Sequence, residues 1–405
     1  MGVELGDIFD SAVNNSLFND KSVLQVRYTP ENIPHRDEQI KSIASMMAPV
    51  LRGERCSNLF IYGKTGTGKT LSVKYIQDEI LKRAKMMGVE VRFEYLNCKM
   101  KKIADTEYRI LAALIQQMGG SVPSTGLPTD QVYSKFIEIV DSKKQLVILV
   151  FDEIDQAVKK ISDGFLYSLT RLNSELGNAQ ISLIGISNDV TFLENIDPRV
   201  RSSLGEEEFV FPPYNAVQLQ DILKERCKIA FKSGAVDDGV VAKCAAYAAR
   251  EHGDARRALD LLRIAGELCE REGKLKVTED YIDFANKKME RDKILDIVES
   301  EPKQFQVVLY SILQLTKNLK SEKNFDKIFT GDVYNFYETL CSKIKNEPLT
   351  QRRVSDIIAE IDMLGLINAK VVSKGRHGRT KEIKLSIPNK LVDKVEAIIV
   401  ESLGL

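Results

Sequence analysis

The chain has 405 residues, which is more than one hydrophobic core usually supports, so its length predicts two or three domains. Its 58 Lys and Arg residues balance 58 Asp and Glu residues, which excludes a chain that is basic or acidic throughout. Any surface that binds nucleic acid must therefore be local. Six cysteines without a C-x-x-C pair indicate reduced thiols, and no apolar stretch is long enough to cross a bilayer. We therefore expect a cytoplasmic protein without a membrane partner.

The first part of the sequence has the pattern of an α/β domain. Short β-branched runs alternate here with helical patterns, which is typical of a mostly parallel sheet with helices on its faces. We assign residues 1–213 to this base domain. The strands that the pattern predicts are residues 58–62, 91–97, 146–151, 181–187 and 208–211.

Two further domains follow a proline-containing break at residues 211–214. From Ala216 to about Lys293 the apolar residues recur at three- and four-residue spacing, which predicts a small helical domain, assigned to residues 214–298. Residues 299–405 contain three predicted helices, two strands and a last helix. Three helices followed by a basic hairpin are typical of a winged helix-turn-helix domain.

Residues 63–70, here called the phosphate loop, fit the pattern G-x-x-x-x-G-K-[ST] in full and lie between a predicted strand and a predicted helix. The glycines let backbone N–H groups turn inward around a phosphate, and the helix start adds a positive dipole. Lys69 would bridge the outer phosphates, and the Thr70 hydroxyl would hold Mg²⁺. The expected ligand is therefore ATP or ADP with Mg²⁺. The nucleotide contacts predicted in this segment are Thr65, Gly66, Thr67, Gly68, Lys69, Thr70 and Leu71.

Polar residues follow the next two apolar strands. Asp152 could bind the Mg²⁺ shell, and Glu153 could polarise the attacking water. An acidic pair after a strand is usually a helix cap, but its combination with a phosphate loop favours the catalytic interpretation. Asn188 follows the next strand and could orient the same water, with a turn asparagine as the alternative interpretation.

Arginines occur at two later helix starts. Arg199 and Arg201 lie in a short predicted helix with Asp197 as its cap and Pro198 at its first position. They could reach the γ-phosphate on a neighbouring subunit or solvate a surface, and both interpretations stay open. Arg256 is a candidate to fold back onto the γ-phosphate of its own chain, which would couple the nucleotide state to an interdomain angle. An exposed arginine at a helix start is the alternative.

This order of motifs, followed by a helical lid, resembles the AAA+ ATPases. Within that superfamily the chain resembles, over essentially its whole length, the archaeal initiators related to the origin recognition complex and its cell-division-control relative. The terminal winged helix belongs to the same resemblance. The segments that carry it are residues 28–36, 97–98, 108–117, 122–126, 199–205, 211–214 and 253–256.

The resemblance implies an initiator that binds double-stranded origin DNA, alone or with other initiator subunits, and helps to recruit the replicative minichromosome-maintenance helicase. It implies that the segment containing Arg36 frames the adenine, and that Tyr214 and Arg226 border the nucleotide from the lid. The inserted helix within residues 99–119 would touch DNA. The protein would then be associated with the nucleoid.

One position departs from the family pattern. Eukaryotic relatives often carry arginine where Ser203 stands, so an arginine that acts in trans would here be Arg201 or Arg199. We expect hydrolysis to be slow and regulatory, so that the protein is at most a weak ATPase and ATP serves as a conformational switch.

The terminal domain contains a basic surface that the balanced total charge conceals. Residues 302–405 contain 17 Lys or Arg against 12 Asp or Glu, and residues 370–384 contain six basic residues against Glu382. Glycines permit a tight hairpin turn, whose arginines suit a narrow minor groove, although a solvated basic loop is the alternative. The predicted DNA-binding residues are Arg352, Arg353, Lys374, Arg376, Arg379 and Lys381.

In the predicted recognition helix, residues 350–364, contacts with DNA should come mainly from the first turn, because acidic residues at its later exposed positions would repel phosphates. Base-specific hydrogen bonds should therefore be few, and DNA shape should matter. The predicted core-facing stripe of this helix comprises Val354, Ile357, Ile358, Ile361 and Leu364.

Two other functions use the same motifs. A motor similar to a clamp loader would show fast, DNA-stimulated turnover in a stable oligomer, and the terminal winged helix argues against it. A DNA-binding regulator of transcription, or of another initiator, could share every residue discussed and stays open.

Overall fold

The computed structural model describes residues 16–25, 27–99, 105–123, 126–321, 327–373 and 379–404. The chain forms two compact units, Met1–Ile282 and Asp283–Leu405. Among the helices of the described ranges, none has the length and apolar character that a membrane crossing requires.

The base of the first unit alternates strands and helices, as the sequence pattern predicts. Each of the five predicted strands is present, and the last one begins two residues earlier than expected because Glu206 already pairs with β1. The elements are α1 (Asp37–Met47), β1 (Asn58–Tyr62), α2 (Lys69–Met87), β2 (Val91–Asn97), α3 (Glu107–Gln117), α4 (Thr129–Val140), β3 (Leu146–Asp152), α5 (Ile154–Ile161), α6 (Gly164–Arg171), β4 (Gln180–Ser187), α7 (Pro198–Leu204) and β5 (Glu206–Val210).

The five strands form one parallel sheet in the order β2-β3-β4-β1-β5. Consecutive residues of a strand pack on opposite faces of the sheet. Phe60 packs in the cluster that includes α3 and α4, whereas Ile61 packs in the cluster that includes α1 and α2. A strand that is buried on both faces needs a continuous apolar run, which is how β1 and β3 read in the sequence.

The carboxyl ends of these strands meet at one edge of the sheet. Asn97 is opposite Asp152, and Asp152 is opposite Ile186. The phosphate loop begins directly after β1, which lies next to β4. Ligands of open parallel sheets bind at this edge, so the fold brings the predicted polar residues together.

A helical lid completes the first unit. It contains α8 (Ala216–Ala230), α9 (Asp238–Arg250) and α10 (Ala255–Arg271). The amino-terminal segment packs on it through Phe18, which forms a bridge with Phe231 and stacks on its ring at 4.5 Å. A Cβ at Gly266 would lie 2.5 Å from the Phe18 ring and 2.9 Å from the Phe231 ring, so α10 needs glycine there.

The second unit is a winged helix with its own core. Its elements are α11 (Glu279–Ser300, whose last turns pack here), α12 (Lys303–Ser321), β6 (Ile328–Phe329), α13 (Thr330–Lys343), α14 (Gln351–Met363), β7 (Ile367–Ser373), β8 (Arg379–Leu385) and α15 (Asn389–Leu403). The sheet has three strands in the order β6-β8-β7. The sequence pattern does not predict β6, because a strand of two residues is too short to show an alternating pattern.

The predicted stripe of α14 is correct except at its end. Val354, Ile357, Ile358 and Ile361 are buried, but Leu364 is 38% exposed. Helix α14 ends at Met363, and Gly365 has a φ of 74°, so the chain leaves the helical path. Leu366, which is 1% exposed, occupies the core instead.

Candidate functional site

The phosphate loop has the backbone shape that the pattern requires. Gly66 and Gly68 have φ angles of 74° and 92°, a region that favours glycine. Helix α2 begins at Lys69 immediately afterwards, so its first N–H groups and its positive dipole end face the loop. The arrangement is an anion site built from backbone donors.

Lys69 lies at the centre of this loop and is only 5% exposed. Its Nζ donates to the carbonyl oxygens of Gly63 at 2.6 Å and Lys64 at 2.9 Å, and to Oδ1 of Asn188 at 2.9 Å. Burial lowers the pKa of Lys69 to about 8, against an opposing effect of Asp152. The ammonium group is therefore held by neutral oxygens and would gain from an anionic partner.

Oxygen ligands converge beside the loop. The Thr70 hydroxyl donates to Oδ2 of Asp152 at 2.9 Å, and the Tyr95 hydroxyl donates to the same oxygen. Burial, with Asp152 beside it, raises the pKa of Tyr95, which keeps the phenol protonated as a donor. Hydroxyl and carboxylate oxygens suit Mg²⁺, so Thr70 and Asp152 fit the predicted metal role.

Glu153 has an unusual backbone conformation at the start of α5. Its φ is 55° and its ψ is 45°, which is uncommon for a residue with a side chain and is typical of functional sites. The carboxylate is 21% exposed on the cleft side, and one of its oxygens lies 3.7 Å from Nζ of Lys99. Neither Lys99 nor Tyr95 belongs to a recognisable nucleotide-binding motif, so the sequence did not predict their place in this cleft. Lys99 was expected only at the start of the inserted element.

A buried hydrogen bond supports the end of β4. The Ser187 hydroxyl donates to Oδ1 of Asp155 at 3.0 Å and accepts from the Asp189 N–H at 2.9 Å. This bond ties the residue before Asn188 to the helix that follows Glu153. The bond therefore holds the backbone next to Asn188 close to the helix that follows Glu153.

The lid contributes Arg256 to the same cleft. Asp254 caps α10 by accepting from the N–H groups of Arg256 at 2.8 Å and Arg257 at 3.3 Å. The Ala255 N–H donates to the carbonyl oxygen of Gly66 at 3.3 Å. The first turn of α10 therefore lies directly on the phosphate loop.

The far end of the cleft is partly aromatic and apolar. Arg226 lies over the Tyr28 ring at 4.4 Å, and burial lowers the pKa of this arginine. Ile33 and Ile222 line the same wall, and Tyr214 also borders the cleft. The cleft has a volume of about 480 Å³, which is within the usual range for small-molecule sites. The predicted contacts that line it are Thr65, Gly66, Thr67, Gly68, Lys69, Thr70, Leu71, Asp152, Glu153, Asn188, Tyr214, Arg226 and Arg256.

Three predicted arginines lie away from this cleft. Arg36 is not among the lining residues, because its guanidinium is buried behind the phosphate loop. Arg201 pairs with Glu208 at 2.9 Å, and its neighbour Arg199 pairs with Asp197, also at 2.9 Å. The expected cap at Asp197 is present, with its carboxylate accepting from the Arg199 N–H at 2.8 Å.

The winged helix presents part of the predicted DNA surface. Arg352 and Arg353 lie exposed in the first turn of α14, and Arg353 has Asp356 and Glu360 within 3.9 Å. Lys381 is half-buried on β8. Glu382 pairs with Lys327 at 3.0 Å and Lys384 at 3.5 Å.

The hairpin tip is described only in part. Lys374 and Arg376 lie outside the described residues, and Arg379 is placed by its backbone, which pairs with Ser373. In the predicted inserted element, residues 100–104 also lie outside, whereas α3 is described.

Three family models match successive parts of the chain. An AAA domain matches residues 52–191, a Cdc6 AAA+ ATPase-type lid domain matches residues 220–287, and a CDC6 C-terminal winged helix domain matches residues 296–395.

Similar proteins extend over nearly the whole chain. The ORC1-type DNA replication protein of Thermococcus onnurineus is 53% identical over 388 residues, which are 95% of this chain and 92% of the relative. ORC1-type DNA replication protein 1 of Methanosarcina mazei is 48% identical over 392 residues, which are 96% of this chain and 93% of that protein.

Two solved structures are similar to the chain over nearly its whole length. The Aeropyrum pernix ORC1 protein in complex with DNA has a TM-score of 0.83 and 42% identity, covering 95% of this chain and 97% of that one. Cdc6p from Pyrobaculum aerophilum has a TM-score of 0.60 at 20% identity, covering 96% and 99%, and shares the fold.

The pKa of Lys69 predicts how nucleotide affinity depends on pH. It is about 8 in the free protein, and a bound phosphate should raise it toward its ordinary value. Binding then takes up a proton at alkaline pH, so ATP affinity should fall as pH rises above about 8, by up to about tenfold per pH unit. Titration with a fluorescent ATP analogue at several pH values measures this slope.

Lys69→Arg is the matched control, because a guanidinium stays charged throughout this range. Its affinity should be lower but nearly independent of pH. Equal slopes for the two proteins would assign the pH dependence to another group.

Proposed function

This chain belongs to the family of ORC1-type DNA replication proteins and is a DNA replication initiator, and we propose that ATP controls how it engages the DNA of a replication origin. The observation that carries the proposal is the position of the lid. The first turn of α10 lies on the phosphate loop, and Arg256 shares one cleft with Lys69. A triphosphate bound there would be within reach of both the base and the lid.

In the proposed site the β- and γ-phosphates lie against the loop N–H groups and Lys69. Thr70 and Asp152 would hold Mg²⁺, which when bound neutralises charge on the phosphate oxygens. Glu153 would polarise the attacking water, and Asn188 would orient it. Arg226, Tyr214 and the Tyr28 segment would border the base and sugar.

Hydrolysis is proposed to be slow. Lys99 lies near the Glu153 carboxylate and competes with water for it, while Asn188 is engaged by Lys69. Glu153 must lose its contact with Lys99, and Asn188 its contact with Lys69, before either can act on a water molecule. Such a site suits a switch that persists in its ATP state better than a motor.

Loss of the γ-phosphate would weaken the closure of the lid over the phosphate loop. Arg256 can contact that phosphate only in the triphosphate state, so ATP and ADP differ in the free energy that they contribute to lid closure. The equilibrium between the open and closed lid can shift only by this difference in free energy. One hydrogen bond to a charged group contributes about 1.5–3 kcal/mol.

The winged helix is proposed to bind the duplex through two elements. Arg352 and Arg353 would contact phosphates at the start of α14. The wing, formed by β7, β8 and their connection, would place Arg376 and Arg379 in the minor groove, with Lys374 and Lys381 beside it. The inserted element around α3 would supply a second contact with DNA.

The partners that we propose follow from the family. They are double-stranded origin DNA, the replicative minichromosome-maintenance helicase and other initiator subunits. Arg201 or Arg199 would reach the γ-phosphate bound to such a neighbouring subunit. We place the protein in the cytoplasm at the nucleoid.

Footprinting tests this function directly. The purified protein with ATP should protect the replication origins of its own genome, and protection should weaken in Lys69→Ala because nucleotide binding is lost. Protection confined to promoters would favour a transcriptional regulator. A stable ring with rapid, DNA-stimulated ATP turnover would favour the motor instead.

The wing is tested by salt dependence. Arg376→Ala with Arg379→Ala should weaken binding to all duplexes and reduce the slope of log affinity against log salt by about 2, since two phosphate-neutralising charges are removed. Fluorescence anisotropy with an origin duplex and an unrelated duplex measures both effects. The control is Lys390→Ala with Lys394→Ala, which removes equal charge from exposed positions on α15. Equal slopes in the two double variants would refute the assignment to the wing.

A further inference from the structure

Arg36 is a buried cation that no step of the proposed nucleotide chemistry uses. It is 1% exposed and lies immediately before α1. Its Nε donates to the carbonyl oxygen of Thr67 at 2.9 Å, and one terminal nitrogen donates to the carbonyl oxygen of Pro212 at 2.6 Å. One buried side chain therefore joins the phosphate loop to the segment that leads into the lid.

The charge of Arg36 is stabilised without a carboxylate. None of the ion pairs found among the described residues includes it, and its guanidinium carbon instead lies 3.7 Å from the Tyr214 ring centroid and 5.6 Å from that of Phe211. A buried cation without an acidic partner is costly, and burial accordingly lowers the pKa of Arg36. A neutral residue would fill the space at lower cost, so the charge and its forked geometry need a reason beyond packing.

Residues 211–214, here called the hinge, connect the base to α8, and their contacts continue to the lid. The Tyr214 hydroxyl would lie 3.1 Å from a Cβ at Gly68, so its ring packs against the phosphate loop. The backbone of Tyr214 is so close to Gly253 that a Cβ there would lie 2.2 Å from its carbonyl oxygen. Gly253 directly precedes the Asp254 cap of α10. The chain of contacts therefore runs from the loop to the lid helix that carries Arg256.

A second contact ties the Arg36 segment to the lid. His35, which has a φ of 60°, places Nε2 at 3.2 Å from Oδ2 of Asp221 on α8. The segment just before α1 is thus bonded to the loop through Arg36 and to the lid through His35. A change in loop conformation can therefore reach the lid in two ways. One runs through Arg36 and the hinge, and the other through the neighbouring His35 and Asp221.

We propose that Arg36 is a positioning residue that transmits the conformation of the phosphate loop to the hinge. A γ-phosphate that engages Lys69 would draw its Nζ away from the carbonyl oxygens of Gly63 and Lys64. The Lys64 carbonyl oxygen also accepts from the Thr67 hydroxyl at 2.9 Å, so the Thr67 carbonyl would shift with it. Arg36 follows that carbonyl and displaces Pro212, so the hinge and the lid move with the loop. The inference rests on the proposed function, in which the nucleotide state sets the lid position.

The test separates coupling from binding. Azide-bearing amino acids at Met87 in the base and Leu275 in the lid, both exposed, accept a donor and acceptor dye. Energy transfer then reports the base–lid distance with ADP and with a non-hydrolysable ATP analogue, while titration gives the affinity for each nucleotide. Arg36→Lys keeps the charge but cannot hold two carbonyl oxygens in a fixed fork. Arg83→Lys makes the same substitution at an exposed site on α2 that pairs with Glu79, and serves as the control.

In Arg36→Lys, ATP affinity should stay within about threefold of the original protein while the ATP–ADP difference in distance falls by about half or more. Tyr214→Leu, which removes the ring beside the guanidinium, should show the same loss of the distance change. Arg83→Lys should behave like the original protein.

A full distance change in both Arg36→Lys and Tyr214→Leu would overturn the inference, even if their ATP affinity were lower. If the original protein itself showed no difference between ATP and ADP, the proposed switch would be wrong instead. Lys69→Ala distinguishes the two failures further, because it should lose affinity and distance change together.

Discussion

The first turn of α10 lies directly on the phosphate loop, and the nucleotide site depends on this contact. The Ala255 N–H bonds to the Gly66 carbonyl, and Asp254 is so close that a Cβ on Gly66 would lie 1.7 Å from its carboxylate oxygen. Glycine at this position therefore serves both the loop and the docking of the lid. Because Arg256 follows in the same helix turn, docking α10 brings a positive charge to the phosphate end of the cleft.

Positive charge in this cleft is concentrated where the outer phosphates would lie. Lys69 is buried and held by carbonyl oxygens, and Arg256 further disfavours its charged state. An anion between these cations would relieve their mutual repulsion. The cleft is thus electrostatically prepared for a phosphate, and a triphosphate would neutralise more of this positive charge than a diphosphate would. This difference is the physical source of the proposed switch.

Much of the fold could be predicted from sequence, because β-branched runs, the phosphate loop and helix caps such as Asp197 are local signals. Roles that depend on tertiary contacts could not. Arg36 was placed with the adenine, yet it lies behind the loop, since no local pattern shows which way a buried side chain points. Tyr95 reaches Asp152 only because β2 and β3 are neighbours in the sheet. The spacing of apolar residues in the sequence does not show which strands will be neighbours. Leu364 fits the helical period but lies beyond the helix end.

ATP is proposed to act through the lid to control DNA engagement, and the affinity for origin DNA in each nucleotide state tests this claim. Origin-DNA affinity is determined with a non-hydrolysable ATP analogue and with ADP, for the original protein and for Arg256→Ala. The original protein should bind origin DNA at least about fivefold differently in the two states, as expected for a coupling of 1 kcal/mol or more. In Arg256→Ala the two affinities should converge while the analogue remains bound. An unchanged ratio in a nucleotide-bound Arg256→Ala protein would contradict the claim.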